Sequence, residues 1–289
     1  MSVVAHALPY LRFGPQQPAS PVILSVPHAG RLYPDALRAM AAVPLAHFEA
    51  LEDRHADLLV AEATAAGAIA FIARHARSWI DLNRDPREID PAMIDPPLRA
   101  HEALPSAKVR GGLGLIPRRI NGTGELWRRP LPAADLAHRI ARDHRPWHAA
   151  LATALAAAQA RFGAALLLDC HSMPPVAAQG AGGPPQIVIG DRYGRSASGL
   201  LVERLVAIAE ADGLTVARNS PYAGGYALDR HGAPAQGRHA IQIEVDRRLY
   251  LLPDLRTPGP GVARIGALIA SMAVAMADEL GGPLPLAAE

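Results

Sequence analysis

The 289-residue sequence has a single cysteine, Cys170, which excludes an intramolecular disulfide framework. It has no excess of charge of either sign. Its 29 basic and 27 acidic residues leave a formal net charge of +2 and are interspersed. This excludes the basic stripe of a nucleic-acid binder and favours a small polar molecule as substrate. No apolar run reaches the roughly 20 residues that span a bilayer. The stretch Ala149 to Ala160 is Ala-rich and interrupted by Thr153 and Gln159. The Met1 end lacks the basic-then-apolar pattern of a secretory signal. The Gly-rich run from Arg110 to Arg118 lacks the Lys-Ser/Thr ending and following helix of a phosphate loop, so nucleotide binding is excluded as well. The expectation is a soluble, cytoplasmic protein with no membrane or nucleic-acid partner. The pattern is silent on oligomeric state.

There is no internal repeat and no interdomain linker, so one catalytic domain over residues 1–289 is expected. At this length folding buries roughly three quarters of the unfolded chain's surface. Length, Ala/Leu content and terminal glycines predict helices over 44–67, 133–163, 197–213 and 261–280. Apolar runs predict strands over 22–26, 68–73, 78–82, 164–169, 186–189, 215–217 and 240–246. Three loops, 85–124, 173–185 and 219–237, separate them, and long loops in an enzyme are usually functional. Alternating strands and helices, with several strands apolar throughout, predict an α/β fold. Its sheet is mixed and largely parallel, with helices on both faces.

In such a sheet, sites form outside the carboxyl ends of strands. Leu166-Leu167-Leu168 runs into Asp169-Cys170-His171-Ser172, and Val22 to Val26 runs into Pro27-His28-Ala29-Gly30. Glu244 sits inside the apolar run Ala240 to Val245, where a buried carboxylate is costly without a partner. Two imidazoles with carboxylates are the inventory of a mononuclear hydrolytic metal site, in which three protein ligands leave a position for water. Most of the 12 histidines are expected to be surface or satisfied buried residues. His28 and His171 stand apart because each follows a strand-like run directly. Asp53 is our choice for the third ligand, with Glu52 and Asp57 as alternatives near the middle of the first predicted helix. Asp169 is read as the carboxylate orienting a ligating imidazole. Glu244, if turned into the site, is the general base. Asn83 and Arg84, at the end of the 78–82 run, suit a substrate carboxylate gripped by a bidentate fork. A substrate with a second carboxylate, as the family resemblance given next implies, would call on Arg118, Arg192 or Arg230, with Arg118 preferred. Tyr226, after Gly224-Gly225, is a possible donor to substrate.

Six motifs in order carry a resemblance. They are Pro27-His28-Ala29-Gly30 with Tyr33-Pro34, Glu52-Asp53, Asp81-Leu82-Asn83-Arg84, Asp169 to Pro174, Asn219 to Tyr226, and Gln242-Ile243-Glu244 with Leu249-Tyr250. Over about residues 20 to 252 the chain resembles the N-formylglutamate amidohydrolase family. The resemblance implies a fold related to zinc carboxypeptidases (phosphorylase/hydrolase-like). It also implies zinc-dependent hydrolysis of N-formyl-L-glutamate to formate and glutamate, a step of histidine degradation. His28, Asp53 and His171 would be the zinc ligands and Glu244 the catalytic carboxylate. A broader N-acyl amino-acid hydrolase or zinc carboxypeptidase, and a metal-binding relative without turnover, are the rival expectations.

Overall fold

Continuous apolar runs become the strands of a sheet buried on both faces, as parallel strands covered by helices must be. The structure, a computed structural model, describes residues 8–120, 122–176 and 183–281. Part of the expected 173–185 loop, residues 177–182, lies outside the described residues, as do residues 1–7. Seven strands form the main sheet: β1 (Tyr10–Phe13), β2 (Val22–Val26), β3 (Ile69–Ala73), β4 (Ala165–Met173), β5 (Ile187–Gly190), β6 (Val216–Arg218) and β7 (Arg238–Asp246). Their spatial order is β1-β3-β2-β4-β7-β5-β6. β4 runs parallel to β2 and β7, β6 parallel to β5, and β7 antiparallel to β5. The sheet is therefore mixed and largely parallel among these pairs, within an α/β protein.

Register turns the alternation of these strands into a line of chemistry. Ser25 of β2 pairs with Asp169 of β4, which pairs with Gln242 of β7; Glu244 pairs with His171. Because side chains alternate with a period of two, all five project from the same face of the sheet.

The chain divides into two compact units. One takes in residues to Leu11, His28–Glu52 and Ile72–Ala150; the other takes in Arg12–Pro27, Asp53–Phe71 and the chain from Leu151 on. The second carries β2 and β4 to β7, and the boundary cuts β1 and β3. Longer helices are α1 (Ala133–Arg139), α2 (Arg145–Phe162), α3 (Gly199–Ala211) and α4 (Gly261–Glu279). A single π-helical turn, Ile140–His144, interrupts the helix expected over 133–163. By length and composition alone α4 could cross a membrane, with 19 residues and a mean hydropathy of 1.5. Its buried residues include Ile265, Leu268, Ile269, Met272 and Met276, spaced as one face of a helix packed into a core.

Three predicted elements are corrected. The helix expected over 44–67 breaks into Leu45–Glu49, a 3-10 turn Ala56–Val60 and Ala61–Ala65. His55, in the left-handed region at φ 61°, interrupts it, so Glu52 and Asp53 sit on a turn rather than mid-helix. The run 78–82 is not a strand. It is folded as turns, with Trp79 N–H donating to the Ala76 carbonyl (2.8 Å) and Asp81 N–H to that of Leu115 (2.8 Å). β4 continues four residues past Asp169, so His171 lies within a strand instead of after one. Its parallel pairing with β7, unbroken to Met173, carries the ladder through the polar residues.

Candidate active site

In the first unit the organising group is Asp81, fully buried between Ile80 and Leu82. One carboxylate oxygen lies 2.8 Å from His28 Nε2 and accepts from Asn83 N–H at 2.9 Å. The other accepts from Arg77 Nε at 2.8 Å and has Arg84 Nε 3.8 Å away. Burial pushes the Asp81 carboxyl pKa upward, but the opposing charges of Arg77, Arg84 and His28 prevail and hold it well below its ordinary value. Burial in turn lowers the pKa of Arg84, with Asp81 working against it. The Arg84 guanidinium also donates to the Leu113 carbonyl (2.9 Å) and the Asn83 carbonyl (2.7 Å). His144 and His148 place Nε2 at 2.8 Å from the Arg84 carbonyl and 2.9 Å from the Leu82 carbonyl, pinning the Leu82–Arg84 turn from α2 and the π turn before it.

His28 arrives two residues beyond β2 on a turn that needs a glycine. A Cβ on Gly30 would stand 2.0 Å from the His75 carbonyl oxygen, a contact no side chain can make. The close approach lets Leu32 N–H reach the Arg74 carbonyl (2.9 Å) and Ala76 N–H the Leu32 carbonyl (3.0 Å). Glu52 accepts from the Tyr33 hydroxyl, which commits that carboxylate locally.

In the second unit His171 lies between two carboxylates. Its Nδ1 is 2.8 Å from Asp53 Oδ2 and its Nε2 is 2.9 Å from Asp169 Oδ2. Asp169 also accepts from the Ser25 hydroxyl. Burial alone would lower the imidazole's pKa, yet Asp169 and Asp53 raise it well above its ordinary value. Glu244, the register partner of His171, is 7% exposed and accepts from Gln242 Nε2 at 2.9 Å. Arg247, just past the end of β7, donates through Nε to the Ser172 hydroxyl (3.2 Å) and stands 3.4 Å from Asp53 Oδ1 through Nη2. His28 in the first unit, and Asp53 and His171 in the second, are all buried residues of metal-ligating type. Asp57 is half-buried on the 3-10 turn that follows.

The remaining predicted residues lie in other settings. Arg118 is held by Asp90 (2.5 Å) and Glu125 (2.9 Å). Arg192 is forked onto Asp229 at 2.9 and 2.7 Å. Arg230 donates to the Tyr226 hydroxyl at 3.0 Å, and Tyr226 begins a short helix, Tyr226–His231, packed on β4 and β7. Sequence reasoning gave Asp81 no part in orienting a ligand and passed over Arg247. The signal for Asp81 was a carboxylate flanked by Ile80 and Leu82; for Arg247 it was a cation immediately after the Glu244–Asp246 strand end.

A mixed α/β architecture with buried imidazoles and carboxylates defines an α/β protein with a candidate polar site. Comparison narrows the class. Residues 20–251 match the N-formylglutamate amidohydrolase family model, and the chain belongs to that family. It is 31% identical over 235 residues to N-formylglutamate deformylase of Pseudomonas putida, covering 80% of this chain and 82% of that one. Identity with the Pseudomonas aeruginosa protein of the same name is 32% over 238 residues, with the same coverage. The crystal structure of N-formylglutamate amidohydrolase from Ralstonia eutropha JMP134 superposes with a TM-score of 0.87 at 32% identity, covering 95% of this chain and 99% of that one.

Proposed function

We propose that this chain is a zinc-dependent amidohydrolase of one catalytic domain that cleaves N-formyl-L-glutamate to formate and L-glutamate, a step of histidine degradation, in the cytoplasm. We read its architecture as zinc-carboxypeptidase-like. The observation that carries the proposal is His171, buried between Asp53 and Asp169 with Glu244 beside it in register, in a chain that the deformylase family spans from residue 20 to 251.

The donor chemistry fits a catalytic metal. His28, Asp53 and His171 supply three ligands of the types zinc prefers and leave a position open. An imidazole pressed between two carboxylates marks a place built for positive charge. Zinc held there would supply Lewis acidity to the amide carbonyl and the attacking water. Asp81 at His28 Nε2 directs ligation to Nδ1, and Asp169 fixes the His171 ring, the orienting contacts that metal-bound imidazoles use.

Glu244 takes the proton of the attacking water and returns it to the leaving amine nitrogen. Its neighbour Gln242 fixes the carboxylate by donating to Oε1. Arg84, held rigid by carbonyl acceptors, and Asn83 receive the substrate α-carboxylate. Arg247 faces the negative charge that develops on the formyl oxygen. Arg118 keeps its proposed place on the side-chain carboxylate, its partners Asp90 and Glu125 then yielding to substrate, and the Tyr226 hydroxyl remains a proposed donor to substrate. Formate release from N-formyl-, N-acetyl- and N-succinyl-L-glutamate by purified protein tests the proposal. The formyl compound should be turned over with a kcat/KM well above the others; equal rates would make this a broad N-acyl hydrolase, and no release would refute the assignment.

A further inference from the structure

Tyr250 stands just beyond β7, after the 3-10 turn Arg247–Leu249 that Asp246 caps by accepting from Arg248 N–H at 2.9 Å. Two glycines fix it there. Gly259 N–H donates to the Tyr250 carbonyl at 2.8 Å, and a Cβ on Gly261, at the start of α4, would meet the Leu249 carbonyl oxygen at 1.8 Å, so only glycine lets that helix begin so close. The Tyr250 side chain is 1% exposed, and a buried phenol needs partners for its hydroxyl. It has two, the Arg54 carbonyl at 2.8 Å and Ser172 of β4. Burial pushes the phenol pKa upward, with the Ser172 hydrogen bond working against it, and the hydroxyl keeps its proton.

Proton counting fixes the direction of each bond. A carbonyl only accepts, so the single Tyr250 proton goes to Arg54. The Ser172 hydroxyl must then donate to Tyr250, and its oxygen accepts from Arg247 Nε at 3.2 Å, a group that can only donate. Arg247 Nη2 in turn stands 3.4 Å from Asp53 Oδ1, and the other Asp53 oxygen is 2.8 Å from His171 Nδ1. The chain of contacts therefore starts on the Asp53 side chain and ends on the carbonyl of the residue next to it, all within the second unit. Hydrogen bonds that run in one direction polarise and strengthen one another.

We propose that Tyr250 is a positioning residue for the hydrolysis, its one hydroxyl holding the main chain beside Asp53 and, through Ser172, aiming Arg247. The inference rests on the function proposed above, in which Asp53 is a metal ligand and Arg247 faces the charge developing on the formyl oxygen. Two effects then separate. The contact with Arg54 governs the pose of the ligand and hence metal affinity, and the contact with Ser172 governs Arg247 and hence the rate once metal is saturating. KM follows neither, because Asn83 and Arg84 are the groups proposed to hold substrate.

The test compares wild type, Tyr250→Phe and Ser172→Ala in zinc affinity by competition with a chromophoric chelator, in kcat and KM for formate release at saturating zinc, and in the melting temperature of the metal-free protein. Tyr250→Phe keeps the ring and deletes the hydroxyl. It should weaken zinc binding about 10- to 100-fold, the range for losing a contact that orients a ligand, and lower kcat about 10- to 100-fold with KM unchanged. Ser172→Ala leaves the Arg54 contact standing, so it should lower kcat to a similar extent and hold zinc normally. Added to Arg247→Gln, Tyr250→Phe should lower kcat no further, since it acts on the rate only through Arg247. A merely structural Tyr250 would lower the melting temperature and leave zinc affinity and kcat at wild-type values, and that result overturns the inference, as would independent, multiplying losses in the double variant. Should Tyr250→Phe fail to fold, Ser172→Ala decides, because normal kcat there breaks the link to Arg247. A wild type that neither holds zinc nor releases formate would sink the proposed function and this inference together, whereas an active wild type matched by Tyr250→Phe sinks this inference alone.

Discussion

Replacing Asp81 by Asn removes one charge from the point where His28, Arg77, Asn83 and Arg84 meet. The carboxylate is fully buried and takes three contacts of 2.8 to 2.9 Å, with a second guanidinium at 3.8 Å. An amide has one acceptor oxygen. If that oxygen stays with His28 and Asn83, the new NH2 faces Arg77 Nε donor to donor, and both guanidinium groups lose the charge of Asp81. A charge-assisted hydrogen bond lost in a buried setting costs about 1.5–3 kcal/mol, and breaking a buried ion pair one-sidedly about 3–5 kcal/mol. Urea denaturation of the metal-free protein should therefore show Asp81→Asn destabilised by about 3 kcal/mol or more. The second effect falls on His28, which loses the carboxylate that orients it. Loss of such a partner typically weakens metal binding about 10- to 100-fold, readable by competition with a chromophoric chelator. Adding Arg77→Leu should recover part of the stability but none of the metal affinity, because it removes a stranded charge without restoring the His28 contact. A variant within about 0.5 kcal/mol of wild type, the range of neutral surface changes, that also takes up metal normally would refute the reasoning.

Glu244→Gln should keep fold and metal but lose kcat by roughly a hundred- to ten-thousand-fold, the range for a positioned acid–base group; near-normal kcat would remove Glu244 from the chemistry. Arg84→Lys keeps charge and loses the fork, so kcat/KM for N-formylglutamate should fall by about 1.5–3 kcal/mol in transition-state terms, and an unchanged value would confine Arg84 to holding its own turn. His231 is buried, and burial first and Arg230 second lower its pKa to about 4. In the unfolded chain the imidazole binds a proton near pH 6.5, and in the folded chain only near 4. Stability is therefore full above the unfolded value and lost as pH falls from 6.5 toward 4, by about 3 kcal/mol. His231→Gln should flatten urea stability of the metal-free protein across that window; an unaltered slope would show that other groups carry the acid loss.

The sheet was legible because its central strands announce themselves. β2 matches its predicted span residue for residue, and β4, β5, β6 and β7 differ mainly at their ends. The line Ser25, Asp169, Gln242 was not legible, since register is a property of pairing and not of any one strand. Two misreadings share a cause. Apolar content over 78–82 and helical composition over 44–67 suggest regular structure, but the first folds as turns and the second breaks into short helical pieces, and each brings a carboxylate, Asp81 or Asp53, into a buried ionic cluster. There tertiary charge pairing overrode local propensity, as it does where a site must be built.

In the proposed mechanism hydrolysis depends on a metal held by His28, Asp53 and His171. The most direct measurement is metal content paired with formate release from N-formyl-L-glutamate, for wild type and His171→Ala, before chelation, after it, and after zinc is returned. Wild type should carry about one metal per chain, in line with a mononuclear site of three protein ligands, lose release on chelation and regain it with zinc. His171→Ala should do neither. Full turnover by chelated wild type, or stoichiometric zinc with normal turnover in His171→Ala, would contradict the account.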